Sequence, residues 1–314
     1  MQLIGLVVPA DFEVSSFAPL SVFESANAVL GERRYVTRLL SSTGGAVSGS
    51  FGIEVITHPL GEPACDTLFV AGTGTASAED DASDFLLEAC DSARRIAATR
   101  RGTFALAELG LLDGRRVTAH WEFASEFKER FPQVRFEDDS IFVEDGSIWT
   151  SAGMTAGVDL AMQLLERDIG PAATQKVASQ MVVGQRRYAR HQQRPATTAF
   201  EPKSDRIQMA LTHARANLRS ALTVEEMADA ACLSPRQFTR LFGEETGCSP
   251  ARAVEKLRLE AASLLVSQGR LSIDVIAIET GFGDSERMRR AFQRAYGHSP
   301  RAMRQLADVR VNIG

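Results

Sequence analysis

Two hydrophobic rhythms divide the chain. In the first part, short continuous apolar runs alternate with stretches whose apolar residues recur every three to four positions. The runs at residues 3–8, 35–40, 67–71, 96–99 and 117–119 predict strands, and residues 17–30, 83–93, 104–109 and 155–165 predict the helices between them. Residues 141–143 and 148–150 flank a polar stretch and predict a hairpin, and residues 172–183 predict one more helix. Strands alternating with helices imply an α/β domain: a doubly wound, mostly parallel sheet with helices on both faces and a ligand crevice outside the strands' carboxyl ends. Residues 184–205 are polar and basic with two prolines, Pro195 and Pro202, and read as an exposed linker. The expected organisation is therefore a domain at 1–183, a linker at 184–205 and an all-α domain at 206–314.

The all-α part contains one unit twice. LTVEEMADAACLSPRQFTRLFGEETGCSP, residues 222–250, aligns with LSIDVIAIETGFGDSERMRRAFQRAYGHSP, residues 271–300. The offset is 49 residues through Leu222/Leu271, Met227/Ile276 and Leu233/Phe282, and 50 for Phe242/Phe292, Gly247/Gly297 and Ser249/Ser299, so the second copy has one extra residue in its middle turn. Each copy reads as two short helices around a tight turn. Thr223 and Ser272 are placed to cap the first helix, Ser234 and Asp284 the second, with Pro235 at a first-turn position that tolerates it. The second helix should bury Phe238, Leu241 and Phe242, or Met288, Ala291 and Phe292. Arg236, Gln237, Thr239 and Arg240, or Ser285, Glu286, Arg289 and Arg290, then point outward. An outward arginine can be bidentate to guanine and a glutamate can accept from cytosine, which is the chemistry of major-groove reading.

The tandem units, each closing on G-x-S-P, resemble the DNA-binding domain of the AraC/XylS family of bacterial transcription regulators over roughly residues 206–306. That resemblance implies two helix-turn-helix modules joined by a linking helix at residues 249–268, with recognition helices entering successive major grooves. Charge agrees with it. The whole chain carries a net charge of −5, but residues 1–183 hold 14 Lys and Arg against 26 Asp and Glu, while residues 184–314 hold 21 against 14. An acidic domain is thus joined to a basic one. Arg186, Arg187, Arg190 and Arg194 in the linker are candidates for phosphate contacts, with solvated charge as the alternative. The four cysteines show no metal-ligand spacing and read as scattered thiols of a reducing cytosol. The apolar run at the start is too short for a membrane span and lacks a preceding basic region, so it is expected to be a strand of a cytoplasmic protein.

RRGTFALAELGLLDGRRVTAHW, residues 100–121, together with PADFEVSSFAPLSVFESAN, residues 9–27, resembles the class I glutamine amidotransferase-like (ThiJ/PfpI) superfamily, and within it the GlxA-like regulators that carry an AraC-type domain. In enzymes of that superfamily the turn after the strand at 96–99 presents a nucleophilic cysteine. Here the matching residue is Arg100, which stays protonated and cannot act as a nucleophile. The acidic partner of such enzymes aligns near Ser15 or Ser21. No catalytic residue, cofactor or metal is therefore expected. Asp11, Glu13, Ser15, Arg100, Arg101, His120 and Trp121 are the candidate ligand contacts, with an anionic, carboxylate-bearing effector expected at Arg100. Solvated loop acids, a hydrogen-bonded structural histidine, and an Arg100 turned away onto a surface acid are the alternatives.

The expected function is transcription regulation on double-stranded promoter DNA. The amino-terminal domain would sense an effector or form a homodimer, and RNA polymerase is a further partner if the protein activates. The rivals are an amidase or hydratase with an appended DNA-binding domain, and a dimeriser without ligand.

Overall fold

The computed structural model describes residues 1–59, 65–72, 80–183, 187, 189, 193, 200 and 202–308. The chain divides into two compact units, Met1–Gln193 and Arg194–Gly314.

The first unit is built on an eight-stranded sheet. Its strands are β1 (Gln2–Val7), β2 (Tyr35–Ser41), β3 (Thr43–Ser48), β4 (Glu54–Pro59), β5 (Thr67–Val70), β6 (Arg95–Thr99), β9 (Phe142–Asp145) and β10 (Ile148–Ser151), in the order β3-β4-β2-β1-β5-β6-β10-β9. All neighbours run parallel except the two edge pairs, β3 with β4 and β9 with β10. Side chains alternate across the sheet as a pleat requires. Ile4, Leu6, Phe69 and Ala97 face α1 (Leu20–Leu30), α5 (Met154–Ile169) and α6 (Pro171–Gln180), burying Val22, Phe23, Leu160 and Val177. Val7, Leu68, Val70 and Ile96 face the other way, toward α2 (Asp80–Ser92), α3 (Gly102–Glu108) and α4 (Ala124–Arg130), burying Leu86, Phe104 and Phe127. Each of these large side chains contributes about 1.5–3 kcal/mol by leaving water.

The doubly wound, mostly parallel sheet agrees with the pattern of the sequence, and several details differ from it. The run at 117–119 does not join the main sheet: only β7 (Arg116–Val117) is a strand, and it pairs with β8 (Arg135–Phe136) in a separate ladder. The cause is Thr118. Its amide donates to Thr150 Oγ1 at 2.8 Å and its hydroxyl to the carbonyl oxygens of Glu137 and Ser140, so the backbone leaves the ladder there. The helix expected from residue 17 begins at Leu20 because Pro19 occupies the N-cap. Strands β3 and β4 are additional to the expected elements.

The second unit is helical: α7 (Asp205–Ala216), α8 (Val224–Ala230), α9 (Pro235–Thr246), α10 (Pro250–Gln268), α11 (Ile273–Glu279), α12 (Ser285–Tyr296) and α13 (Pro300–Asp308). The caps read from the sequence are made. Thr223 and Glu226 form a reciprocal capping box on α8, Ser234 and Gln237 form one on α9, and Ser272 and Asp284 cap α11 and α12. Gly247, Gly269 and Gly297 end α9, α10 and α12 in the left-handed conformation that glycine adopts without strain. One core gathers Met227, Phe238 and Phe242 with Ile207 and Leu211 of α7, and a second gathers Ile276, Met288 and Phe292. The linking helix α10 serves both, giving Ala253, Val254 and Leu257 to the first and Leu259, Ala262 and Val266 to the second.

Described residues of the stretch 184–205 make contacts to both units. Arg187 and Gln193 bond within the first unit, and Phe200, only 4% exposed, belongs to the first helical core. Arg186, Arg190 and Arg194 lie outside the described residues.

Candidate functional site

The carboxyl ends of β1, β5, β6 and β10 meet at one corner of the first unit. After β6 the chain turns sharply into α3 through Arg100, which holds a left-handed φ of 51°. Three glycines make room for this turn. A Cβ on Gly102 would lie 2.1 Å from the Val70 carbonyl oxygen, one on Gly72 would lie 2.4 Å from Arg101 Cβ, and one on Gly153 would lie 2.9 Å from Arg100 Cβ. The turn is thus wedged between strand ends, and the Arg100 side chain projects from a fixed backbone. A non-glycine residue in this conformation carries strain of about 1–3 kcal/mol that the surrounding packing must offset.

Beside the turn lies a cleft of about 360 Å³ lined by Ser15, Arg100, His120, Trp121, Ile141, Met154, Thr155, Arg187 and Gln193, among others. A small recess on the other side of Arg100 touches Glu13, Ser15, Ser16, Gly72, Arg101 and Met154. Six of the seven expected ligand contacts are therefore brought together. Asp11 is not among the residues lining either space: it is exposed, its φ is 56°, and its amide donates to the Ser48 carbonyl at 3.0 Å.

The charges of the corner are paired. Arg100 forms an ion pair with Glu13 and its Nη2 lies 4.0 Å from Glu122. Arg101 stacks its guanidinium 4.2 Å from the Phe123 ring centroid and lies 3.7 Å from Glu126. The Glu122 amide donates to His120 Nδ1 at 3.4 Å, capping a short 3-10 turn. Burial, then the neighbouring Arg100, hold the His120 imidazole below its ordinary value, with Glu122 and Glu13 opposing them. This environment favours the neutral ring. Trp121, 43% exposed, lies against its ring at 5.3 Å.

Two residues that sequence reading did not assign to the cleft also line it. Arg187 donates from Nε to Asp159 at 2.8 Å and from Nη2 to Thr155 at 2.9 Å. The side chain that sequence offers as a phosphate contact is thus engaged with Asp159 and Thr155. Gln193 donates to the carbonyl oxygens of Ala119 and Ser140 and accepts from the Trp121 amide at 2.8 Å, which fixes the loop that carries His120. No local signal marks either residue, since their partners lie far away in sequence.

On the helical unit, α9 and α12 expose the expected faces. Arg236, Thr239 and Arg240 are exposed beside buried Phe238 and Phe242, and Glu286, Arg289 and Arg290 are exposed beside buried Met288 and Phe292, while Ser285 is half-buried. Gln237 is exposed as well, yet its side chain is spent on the Ser234 cap, accepting from the hydroxyl at 2.9 Å. Thr239 donates back to the Pro235 carbonyl at 2.8 Å, and Arg240 pairs with Glu244 at 3.3 Å.

The sequence matches the helix-turn-helix domain family over residues 227–306 and the DJ-1/PfpI family over residues 12–167. It is 30% identical over 311 residues to the HTH-type transcriptional regulator GbdR of Pseudomonas aeruginosa, covering 97% of this chain and 84% of that one. It is 31% identical over 313 residues to the HTH-type transcriptional regulator GlxA of Rhizobium meliloti, covering 97% and 96%. Among solved structures, an AraC family transcriptional regulator from Pseudomonas putida matches with a TM-score of 0.52 at 22% identity, covering 58% of this chain and 100% of that one, a likeness of fold. With relatives matched over nearly its whole length and both domains recognised, the chain belongs to the family of helix-turn-helix transcriptional regulators that join a DJ-1/PfpI domain to an AraC-type DNA-binding domain.

Proposed function

We propose that this DNA-binding transcription regulator reads its promoter through Arg236, Thr239 and Arg240 on α9 and through Ser285, Glu286, Arg289 and Arg290 on α12, and that a small molecule in the Arg100 cleft controls the reading. The observation that carries the second half is the turn at Arg100. A strained, glycine-wedged corner holds a guanidinium at the mouth of a cleft large enough for a small metabolite. The effector is an acid: its carboxylate displaces Glu13 from Arg100, and the released Glu13 favours a cationic group elsewhere on the same molecule. Trp121 offers an apolar or cation-accepting face.

The amino-terminal unit is non-catalytic on this reading, because the residue at the turn cannot form a covalent intermediate. Among the residues lining the cleft there is no cysteine. The same unit pairs two chains into a dimer, so that two helical units engage paired sites with raised effective concentration, and RNA polymerase is the further partner of an activator. Among the described residues no helix is long and apolar enough to cross a membrane, which fits a cytoplasmic location.

Calorimetry of candidate carboxylates against wild type and Arg100→Ala tests the effector half. A carboxylate that binds wild type and loses at least about tenfold in the variant, roughly one charge-assisted hydrogen bond, supports it. Equal affinity in both proteins removes Arg100 as the anchor.

A further inference from the structure

Besides the helix that joins them, the two helix-turn-helix modules meet around Gly281. The turn of the second module passes Gly281, whose φ is 79°, and a Cβ there would stand 1.8 Å from the Leu218 carbonyl oxygen and 2.7 Å from Arg258 Nε. Leu218 belongs to the loop between α7 and α8, in the first module. Arg258, midway along α10, donates from Nε to that same carbonyl at 3.1 Å and from Nη2 to the Ser220 carbonyl at 2.7 Å. Arg219, the residue between them, pairs with Glu279 at the end of α11 at 3.3 Å. A loop of one module, the turn of the other and a side chain of the joining helix thus close a triangle.

The internal repeat supplies a control. The position equivalent to Gly281 in the first copy is Cys232, which adopts the same left-handed turn with φ 52° and is exposed. The turn itself therefore accepts a side chain. What excludes one at 281 is the neighbouring module, so this glycine records a contact between modules and not only a turn.

We infer that the Leu218–Arg258–Gly281 junction sets the distance and angle between the two recognition helices, making Arg258 a positioning residue for operator spacing. The inference rests on the reading that α9 and α12 both enter DNA. Without the junction, α10 is a single lever of roughly 28 Å about which each module can pivot. With it, Arg258 braces the lever against both modules. One base pair inserted between the two contact blocks moves one block by about 3.4 Å and about a tenth of a turn, a displacement a braced pair of helices cannot follow.

The test uses the full-length protein and an operator selected by it from a pool of randomised duplexes. Affinity is measured for that operator and for versions with one base pair inserted or deleted between the two contacted blocks. Wild type should lose at least about tenfold on either change. Arg258→Ala should lose clearly less, so that the ratio of affinities falls even where absolute affinity drops. Arg258→Lys keeps the cation and the stem but cannot span two carbonyls, so it should also flatten the ratio while preserving the fold. The same ratio in all three proteins, or a wild type indifferent to spacing, overturns the inference while the DNA-reading faces stand. Failure of wild type to select any sequence overturns the DNA reading itself, and this inference with it.

Discussion

Arg289 lies across Glu286 on the exposed face of α12, with Nε and Nη2 each 2.8 Å from a carboxylate oxygen. The hydrogen bonds from Arg289 hold the Glu286 carboxyl below the usual carboxylate range. On the proposed reading the fork that would grip guanine is preformed but occupied, and DNA would have to compete with an internal carboxylate for it. Arg236→Ala, Arg240→Ala, Arg289→Ala and Arg290→Ala should each weaken operator binding. A base-reading arginine costs about 1–3 kcal/mol and relaxes specificity at one position, whereas a phosphate contact lowers affinity uniformly and flattens the salt slope. Gel shifts across salt concentrations distinguish the two, and undiminished affinity in all four variants would remove these faces from the interface.

Phe200 sets where the helical unit begins. Because this ring is buried in the first helical core, a fragment starting at Arg194 should be more stable than one starting at Lys203, by about 3–5 kcal/mol, the cost of removing a core phenylalanine. Urea denaturation of the two fragments checks this, and Phe200→Ala in the longer one should reproduce the loss. Equal midpoints would show that the ring contributes nothing.

Gly102→Ala should destabilise the amino-terminal unit. The added methyl would meet the Val70 carbonyl, a backbone atom at the end of β5 that cannot swing aside, so the turn or the strand must shift. A loss of about 1–3 kcal/mol is expected from overpacking of this kind. Chemical denaturation followed by tryptophan fluorescence reads it, with Gly110→Ala as a comparison, where no neighbour lies within 4 Å but φ is +71°. A Gly102→Ala protein as stable as wild type would mean the corner is not wedged.

His120 provides a pH readout of the cleft. Since burial and Arg100 lower its folded-state value, the neutral ring is the form the fold prefers. Its contribution to stability is therefore present above the ordinary value of 6.5 and is lost as pH falls from there through the lower folded value. Histidine NMR should place the His120 titration below 6.5, and Arg100→Gln should move it upward by removing one of the two causes. A titration unchanged by that substitution would separate the two side chains electrostatically.

What the sequence made legible was whatever is written locally. Thr223, Ser234, Ser272 and Asp284 cap their helices because a cap is a contact three residues long. The buried pair Phe238 and Phe242 of α9, with Leu241 half-buried beside it, and the buried triplet of α12 follow from helical period alone. Strands β3 and β4 were hidden because TGGAVS pairs two glycines with few branched residues, and β4 has a mostly exposed pattern. The cleft's far wall was hidden for a different reason. Gln193 reaches Thr118, Ala119 and Trp121 across more than seventy residues of chain, and no periodicity foretells a pairing of that span. Nothing in the polar, basic sequence around Arg187 points to Asp159, buried on α5, which is its partner 28 residues earlier.

The corner at Arg100 has one more implication. The close approaches at glycines 72, 102 and 153 hold the backbone at residue 100, and with it the direction of its Cα–Cβ bond. A change of amino acid at 100 would leave the walls of the cleft where they are and exchange only the chemical group offered to whatever enters. On the proposed reading the architecture would behave as a socket with an interchangeable probe: a thiol in that socket would make a reactive surface, and a guanidinium would make a detector of acids, with the same scaffold serving either trade.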